Sequence, residues 1–379
     1  MLGSHEDDLP VLATPSARRR RIVMPLFVLG LVALAGFLVS LNGERDDLVG
    51  SGSTLAQPLI EQSARAYRNS RTADNPERPS QTGGDWVLDG SGVSYDPVGS
   101  LGGIVSLDRP EVDFAVADYP LSAAGLDETG VVQFPVAVGA VAVVHNLDLA
   151  RGTALRLDAG TLAAIYLGEI RRWDDPAIAA LNDGLVLPAL PINPVHRSDG
   201  SGSTLGLTRY LGAGAAAWAS GPGTGALLEW PAGAAAERSS GMIAAVSGTP
   251  GSIGYVESGQ AARAGLSRVA LGNAAGEFVS PTTSSMRAAM TNLDFSGKDR
   301  FVEALAPSDE PAAYPATVAI YALVKRGDED ETTRAMDYLT FIVEEFDGDA
   351  QDLGYLALPD AAGESLADFW AAQFEYRVP

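Results

Sequence analysis

The sequence predicts an α/β protein built on largely parallel sheets. Three observations carry that expectation. From Val49 onward, short β-rich runs alternate with helical patterns, which implies crossover helices between strands. The pentapeptide Gly-Ser-Gly-Ser-Thr stands at 50–54 and again at 200–204, each time directly before a stretch with helical spacing. An uncharged apolar run near the start sets the globular part off from a separate N-terminal segment.

That N-terminal segment comes first in order. Residues 1–21 read as a disordered cytoplasmic stretch ending in Arg18, Arg19, Arg20 and Arg21. Ile22 to Leu41 carries no charge, and about 20 residues of helix span the roughly 30 Å of a hydrocarbon core. The arginine flank stays in the cytoplasm, which places everything after Asn42 outside. A cleaved signal peptide is the rival reading, with Ala33-Leu34-Ala35 as a small-x-small site. Cleavage there leaves Gly36-Phe37-Leu38-Val39 as an apolar new terminus, which favours an uncleaved anchor over 22–41.

In the globular part, Leu55, Leu59, Ile60, Ala64 and Tyr67 fall at helical spacing. Residues 70–94 are polar and rich in Gly and Pro, and read as a long loop. Val112–Ala117 is a short buried strand closed by Asp118 and Pro120. Val136–Val144 is almost wholly apolar and suits a central strand. Leu162–Ile170 and Asp175–Leu181 read as helices. Ile192–His196 is a strand running into the second pentapeptide, after which Leu205, Leu207, Tyr210 and Leu211 continue as helix. Gly251–Val256 reads as a tight turn into a strand, Thr317–Val324 as a strand, and Ala335–Val343 as a helix.

Composition narrows the function. With 379 residues and 46% hydrophobic content, the chain suits two domains or one bilobal unit. A formal charge of −22 argues against nucleic acid and anionic membrane surfaces as partners. It also repels any anionic ligand, so local donors must win at short range while salt screens charges beyond about 10 Å. The absence of cysteine excludes disulfides, thiolate metal sites, a cysteine nucleophile and a lipid-modified cysteine. His5, His145 and His196 are the only histidines, with no H-E-x-x-H pair, so no zinc-protease site and no metal or cofactor is expected.

The chemistry concentrates in three glycine- and serine-rich loops: Gly50–Leu55, Gly99–Gly103 and His196–Ser203. Helix starts present free N–H groups and a positive dipole end, and glycine lets a ligand approach the backbone. Two such starts 150 residues apart can face one anion across a cleft. The bland alternative is that these are turns in a chain with 42 glycines. Arg197 offers a planar fork that matches two oxygens of a tetrahedral anion, with Asp199 placed to pin it from behind. Its alternative is an ordinary surface ion pair. Asp118 is a carboxylate where an anion would sit. It makes sense for a ligand with a proton to donate, as hydrogen phosphates have and sulfate lacks, so it would select by repulsion. Its alternative is a turn residue before Tyr119-Pro120.

Taken together, Gly50-Ser-Gly-Ser-Thr-Leu55, Gly99-Ser-Leu-Gly-Gly103, Asp113-Phe-Ala-Val-Ala-Asp-Tyr-Pro-Leu-Ser122, Gln133-Phe-Pro135, Tyr166-Leu-Gly-Glu-Ile170 with Trp173-Asp-Asp175, Arg197-Ser-Asp-Gly-Ser-Gly-Ser203 and Gly251-Ser-Ile-Gly-Tyr-Val256 resemble, in order, the phosphate receptor of the bacterial phosphate-specific ABC transporter. The resemblance covers about residues 48–379. It implies a two-lobed, Venus-flytrap periplasmic-binding-protein architecture. Lobe I would comprise 48–136 plus 277–379, and lobe II 137–276. It implies that inorganic phosphate is bound between the lobes and delivered to ABC permease subunits, on the extracytoplasmic side of the inner membrane. By that resemblance Thr54, Leu55, Ser100 and Asp118 hold phosphate from the first lobe, and Arg197, Ser201, Gly202 and Ser203 from the second. Asp199 orients Arg197. The sequence departs from the family pattern at Leu55, where an aromatic is usual, at Ser203 for threonine, and at His196 and Ser198. The 70–94 segment is longer than the family norm, and the membrane anchor is atypical. A tethered phosphate sensor or adhesion protein is the alternative use of the same fold. Catalysis is not expected, because the only base near Ser201 is Asp199 and no G-x-S-x-G is present.

Overall fold

The computed structural model describes residues 48–71, 92–150, 153–292, 295–302, 308–326, 329–374 and 376. The anchor over 22–41 and most of the 70–94 loop lie outside these residues. Among the described residues, no helix is long and apolar enough to cross a membrane.

Among the described residues, twelve strands and the helices between them form a mixed α/β unit. The strands are β1 (Leu48–Gly52), β2 (Val93–Asp96), β3 (Phe114–Ala117), β4 (Val131–His145), β5 (Arg156–Leu157), β6 (Asn193–Arg197), β7 (Ala234–Ala236), β8 (Ser252–Glu257), β9 (Ser267–Arg268), β10 (Ala270–Gly272), β11 (Phe278–Val279) and β12 (Thr317–Lys325). The main sheet runs β2-β1-β3-β12-β4-β8-β6-β7, with β9 beside β4, and a small sheet runs β11-β10-β5. The expectation of largely parallel sheets is corrected. Two parallel groups, β2-β1-β3 and β8-β6-β7, are bridged by antiparallel β12 and β4. A strand's apolar run carries no direction, so alternation alone could not reveal this.

The long strand β4 joins the two groups. Every residue from Val131 to His145 is buried. Val131–Ala140 pairs with β12, and Val141–His145 pairs with β8. It begins five residues before the expected Val136 and takes in Gln133 and Pro135. Pro135 has no N–H to donate, and the register shifts at Ile320/Tyr321, where it pairs. Gln133 is tolerated in the sheet because its amide bonds Leu121 N and O and the carbonyls of Arg300 and Phe301.

Most other elements fall where patterning puts them, with shifted ends. The predicted 162–170 helix is observed as Ala159–Tyr166. Asp158 caps it by accepting from Thr161 N at 2.7 Å, and Gly168 at φ 76° turns the chain away. The end of the 70–94 loop is instead β2, which pairs with β1. Parallel β1 and β3 end together, Gly52 beside Val116, and β6 and β7 end together, Arg197 beside Ala236. Both groups thus present their carboxyl ends to the loops that follow, the usual place for a ligand in an α/β sheet.

Candidate functional site

The first pentapeptide leaves β1 at Gly52, whose φ of 136° suits glycine alone. A Cβ there would lie 2.1 Å from the Val116 carbonyl oxygen. This close approach lays the loop against β3, whose chain continues to Asp118. Ser53 Oγ donates to Asp118 Oδ1 in a short bond and accepts from Ala56 N at 3.0 Å. Ser100 opens the helix Ser100–Ser106, and its hydroxyl donates to Asp118 Oδ2 at 3.3 Å. Asp118 is therefore held between two loops of the first half-sheet.

Arg197 ends β6 with its side chain buried. Its Nε and Nη2 clasp both oxygens of Asp199, the Nε bond measuring 2.7 Å. Asp199 Oδ1 also accepts from Arg238 N at 2.9 Å. The remaining Nη1 reaches across the cleft and donates to Thr54 Oγ1 at 3.0 Å, and Ser239 Oγ meets the same hydroxyl at 3.0 Å. Tyr255 Oη holds the Arg197 N–H at 2.9 Å and Thr204 Oγ1 at 2.8 Å.

The second pentapeptide starts the helix Gly202–Gly214, capped by Ser201. Its first-turn N–H groups have no partner inside the helix. A Cβ on Gly202 would stand 2.4 Å from Asp118 Cβ, so this helix start presses directly on the carboxylate. Ser203 Oγ is buried and has no hydrogen-bond partner among the described residues. A buried hydroxyl left unpaired is costly, and here it lies on the helix turn that abuts Asp118. The halves also meet at the rim, where Leu101 N donates to Gly200 O at 3.4 Å.

Electrostatics separates the two carboxylates. Burial pushes Asp118 up to about 6, against the pull of Ser53, Arg197 and Ser100. Burial also raises Asp199, but the Arg197 bonds outweigh it and hold that carboxyl below its ordinary range. The site thus pairs an Asp199 held toward its ionised form with an Asp118 raised to about 6. Each Asp118 oxygen retains lone pairs beyond the serine bonds, so it can accept a further proton donor.

All nine residues singled out from the sequence come together here. Thr54, Arg197 and Asp199 form one bonded chain, Ser100 and Asp118 another, and Ser201, Gly202 and Ser203 the abutting helix start. Leu55 follows Thr54 and is wholly buried. His196 turns away, as its strand position requires, and stacks on Trp230 at 5.1 Å. Ser53, Ser239, Tyr255 and Gln260 also belong to the cluster and were not among those nine. Ser53 lies inside the repeated motif and was the most findable of these. Ser239 and Gln260 are far off in sequence, without a local signal. A cavity of about 460 Å³ shares only Asp118 with the nine residues and runs on along Gly206, Arg209 and Tyr210.

A PBP superfamily domain matches residues 40–345. The phosphate-binding protein PstS of Xylella fastidiosa strain 9a5c is 35% identical over 328 residues, covering 86% of this chain and 85% of that protein. PstS of Pasteurella multocida is 31% identical over 345 residues, covering 90% and 95%. The chain belongs to the PstS phosphate-binding protein family. The fold agrees with solved structures at low identity. A high-affinity periplasmic phosphate-binding protein, PfluDING, superposes with a TM-score of 0.62 at 20% identity, covering 85% of this chain and 93% of that one. A phosphate-binding protein from Stenotrophomonas maltophilia gives 0.59 at 18%, covering 84% and 92%. In this PstS relative the matched domain contains every residue of the cluster, and its two-lobed fold places them where the half-sheets face each other.

Proposed function

We propose that this chain binds inorganic phosphate between its two lobes and delivers it to an ABC-type permease for import. The observation that carries the reading is the buried Asp118 carboxylate set against a helix start whose Ser203 hydroxyl has no partner among the described residues. Such a site suits an anion that both accepts from neutral donors and donates a proton. Hydrogen phosphates meet both demands and sulfate meets only the first. Thr54, Ser203, the N–H groups of Leu55 and Gly202, and the Arg197 fork donate. Ser100 and Ser201 complete the ring, and Asp199 orients Arg197. The lobes are 48–136 plus 277–379 and 137–276, so the chain passes from the first to the second within β4. The PstS relatives are binding proteins, and this chain acts by binding rather than by catalysis. It works outside the cytoplasm, tethered through 22–41.

Calorimetry on the full chain tests the binding. One phosphate per chain with sulfate binding at least about a thousandfold weaker is expected, a gap that loss of a buried donor–acceptor match supports. Equal binding of sulfate would overturn the reading. Phosphate uptake by cells with and without the chain tests delivery. Unchanged uptake would leave a tethered sensor in its place.

A further inference from the structure

Gln260 lies outside the ring of phosphate donors, yet its side chain reaches the backbone carbonyls of both Thr54 and Leu55 from the other half-sheet. It sits in the helix Ser258–Arg263, directly after β8. Its Nε2 donates to Thr54 O at 2.8 Å and to Leu55 O at 3.1 Å, and its side chain is buried. The helix itself is pinned. Glu257, fully buried at the last rung shared with β4, accepts from Gly259 N and from Gln260 N at 2.7 Å. Gly259 lies so close to Leu353 that a Cβ would stand 1.9 Å from its carbonyl oxygen. Two residues on, Tyr355 Oη donates to the same Leu55 carbonyl at 2.7 Å.

Peptide geometry gives this tie a consequence. A trans peptide is planar, and its C=O and N–H point in opposite directions. Holding Thr54 C=O toward Gln260 therefore turns Leu55 N–H the other way. Holding Leu55 C=O likewise turns Ala56 N–H away, and that group donates to Ser53 Oγ, which in turn donates to Asp118. One amide thereby sets the direction of a backbone donor and supports the serine that holds the acceptor.

We propose that Gln260 is a positioning residue for phosphate, an interlobe latch that aims Leu55 N–H at the anion and steadies Ser53 beneath Asp118. This rests on the phosphate reading above. Because Gln260 follows β8 while Thr54 follows β1, the latch also links closure of the lobes to readiness of the first loop. Its loss slows no chemistry; it lets the loop turn its N–H away.

The test uses the full chain as wild type, Gln260→Met, the isosteric Gln260→Glu, and Tyr355→Phe. Two measurements run together. Hydrogen exchange of the 53–57 amides without phosphate should quicken about tenfold or more in Gln260→Met, the scale of one or two lost hydrogen bonds. Phosphate affinity should fall about 10- to 100-fold, mostly as faster release, with sulfate still rejected because Asp118 is intact. Gln260→Glu should be worse than Gln260→Met, since a carboxylate facing two carbonyls repels them. Tyr355→Phe should give a smaller effect of the same kind and serves if the Gln260 variants do not fold. Unchanged exchange at 53–57 would overturn the latch, and so would unchanged phosphate affinity beside a wild type that binds. A wild type that does not bind phosphate would overturn the phosphate reading instead, while the exchange measurement still decides whether Gln260 orients the loop.

Discussion

The two copies of Gly-Ser-Gly-Ser-Thr are identical in sequence and unlike in structure. In the first, Gly50, Ser51 and Gly52 are the end of strand β1, and the helix begins only at Gln57. In the second, the helix begins at Gly202, inside the motif. The register of motif against helix differs by five residues, so every equivalent side chain has a different duty. Ser53 is fully engaged between Asp118 and Ala56, while Ser203 is buried without a partner among the described residues. Thr54 bonds Arg197 across the cleft, whereas Thr204 bonds Tyr255 behind it. A motif reports that a turn is present. What the turn does depends on where the strand before it stops.

The contrast can be broken at its bridge. Arg197 is the group of the second loop that reaches the first, and Arg197→Met removes both that bond and the partner of Asp199. Arg197 is buried and Asp199 half-buried, so the substitution strips the cation from the anion's side and leaves the Asp199 charge uncompensated beside it. We expect phosphate binding to disappear from calorimetry at micromolar chain, and binding within tenfold of wild type would remove Arg197 from the site. Next in size is Asp118→Asn. Phosphate affinity should drop only about tenfold, one hydrogen bond's worth, while sulfate gains affinity because the repelling charge is gone. A variant that rejects sulfate as fully as wild type would end the role given to Asp118.

The serine pair sharpens the comparison directly. Ser203→Ala removes a hydroxyl with no protein partner among the described residues, so the unliganded melting temperature should hardly change while phosphate weakens about tenfold. Ser53→Ala strips a bond from a buried carboxylate, so the unliganded chain should melt lower, by about 1–3 kcal/mol in stability. If both serines behaved alike, the two copies would be equivalent after all.

The most gradual effects lie in pH. Asp118 has a folded value of about 6 against its ordinary 3.8, raised chiefly by burial. Between those values the folded chain holds the extra proton, so this group makes unliganded stability fall as pH rises from about 4 to about 6. His145 is lowered by burial from 6.5 to about 4, and its Nε2 has no partner among the described residues. There the unfolded chain holds the extra proton, so stability falls as pH drops from about 6.5 to about 4. Thermal melts in phosphate-free buffer should show the first slope vanish in Asp118→Asn and the second in His145→Gln. A slope that survived its own substitution would assign the titration to another group.

Much of this site is legible in the amino-acid sequence. Arg197 with Asp199 is a local pattern two residues wide, and Asp118 stands at the end of an apolar run, so both can be named from their neighbours in the chain. The first helix is visible because Leu59, Ile60, Ala64 and Tyr67 share one buried face, with Leu55 buried just ahead of it. Gln133 and Pro135 lie outside the strand expected at 136–144 yet belong to β4, because what admits a polar and a donor-less residue to a buried strand is contact with the carbonyls of Arg300 and Phe301 and a shift of register, neither of which is local.

Neighbouring residues alone set the places where the chain turns from strand to helix, the buried runs, and the donors and carboxylates those turns carry. Dihedral preference and periodicity act over a few residues, so these features can be read along the chain. Three others came from the folded molecule: β4 and β12 run antiparallel between two parallel groups, Gly202 lies against Asp118, and Gln260 ties down Thr54 and Leu55. They depend on which chemically similar partners meet across long stretches of chain, and closure of the two half-sheets on each other makes that choice.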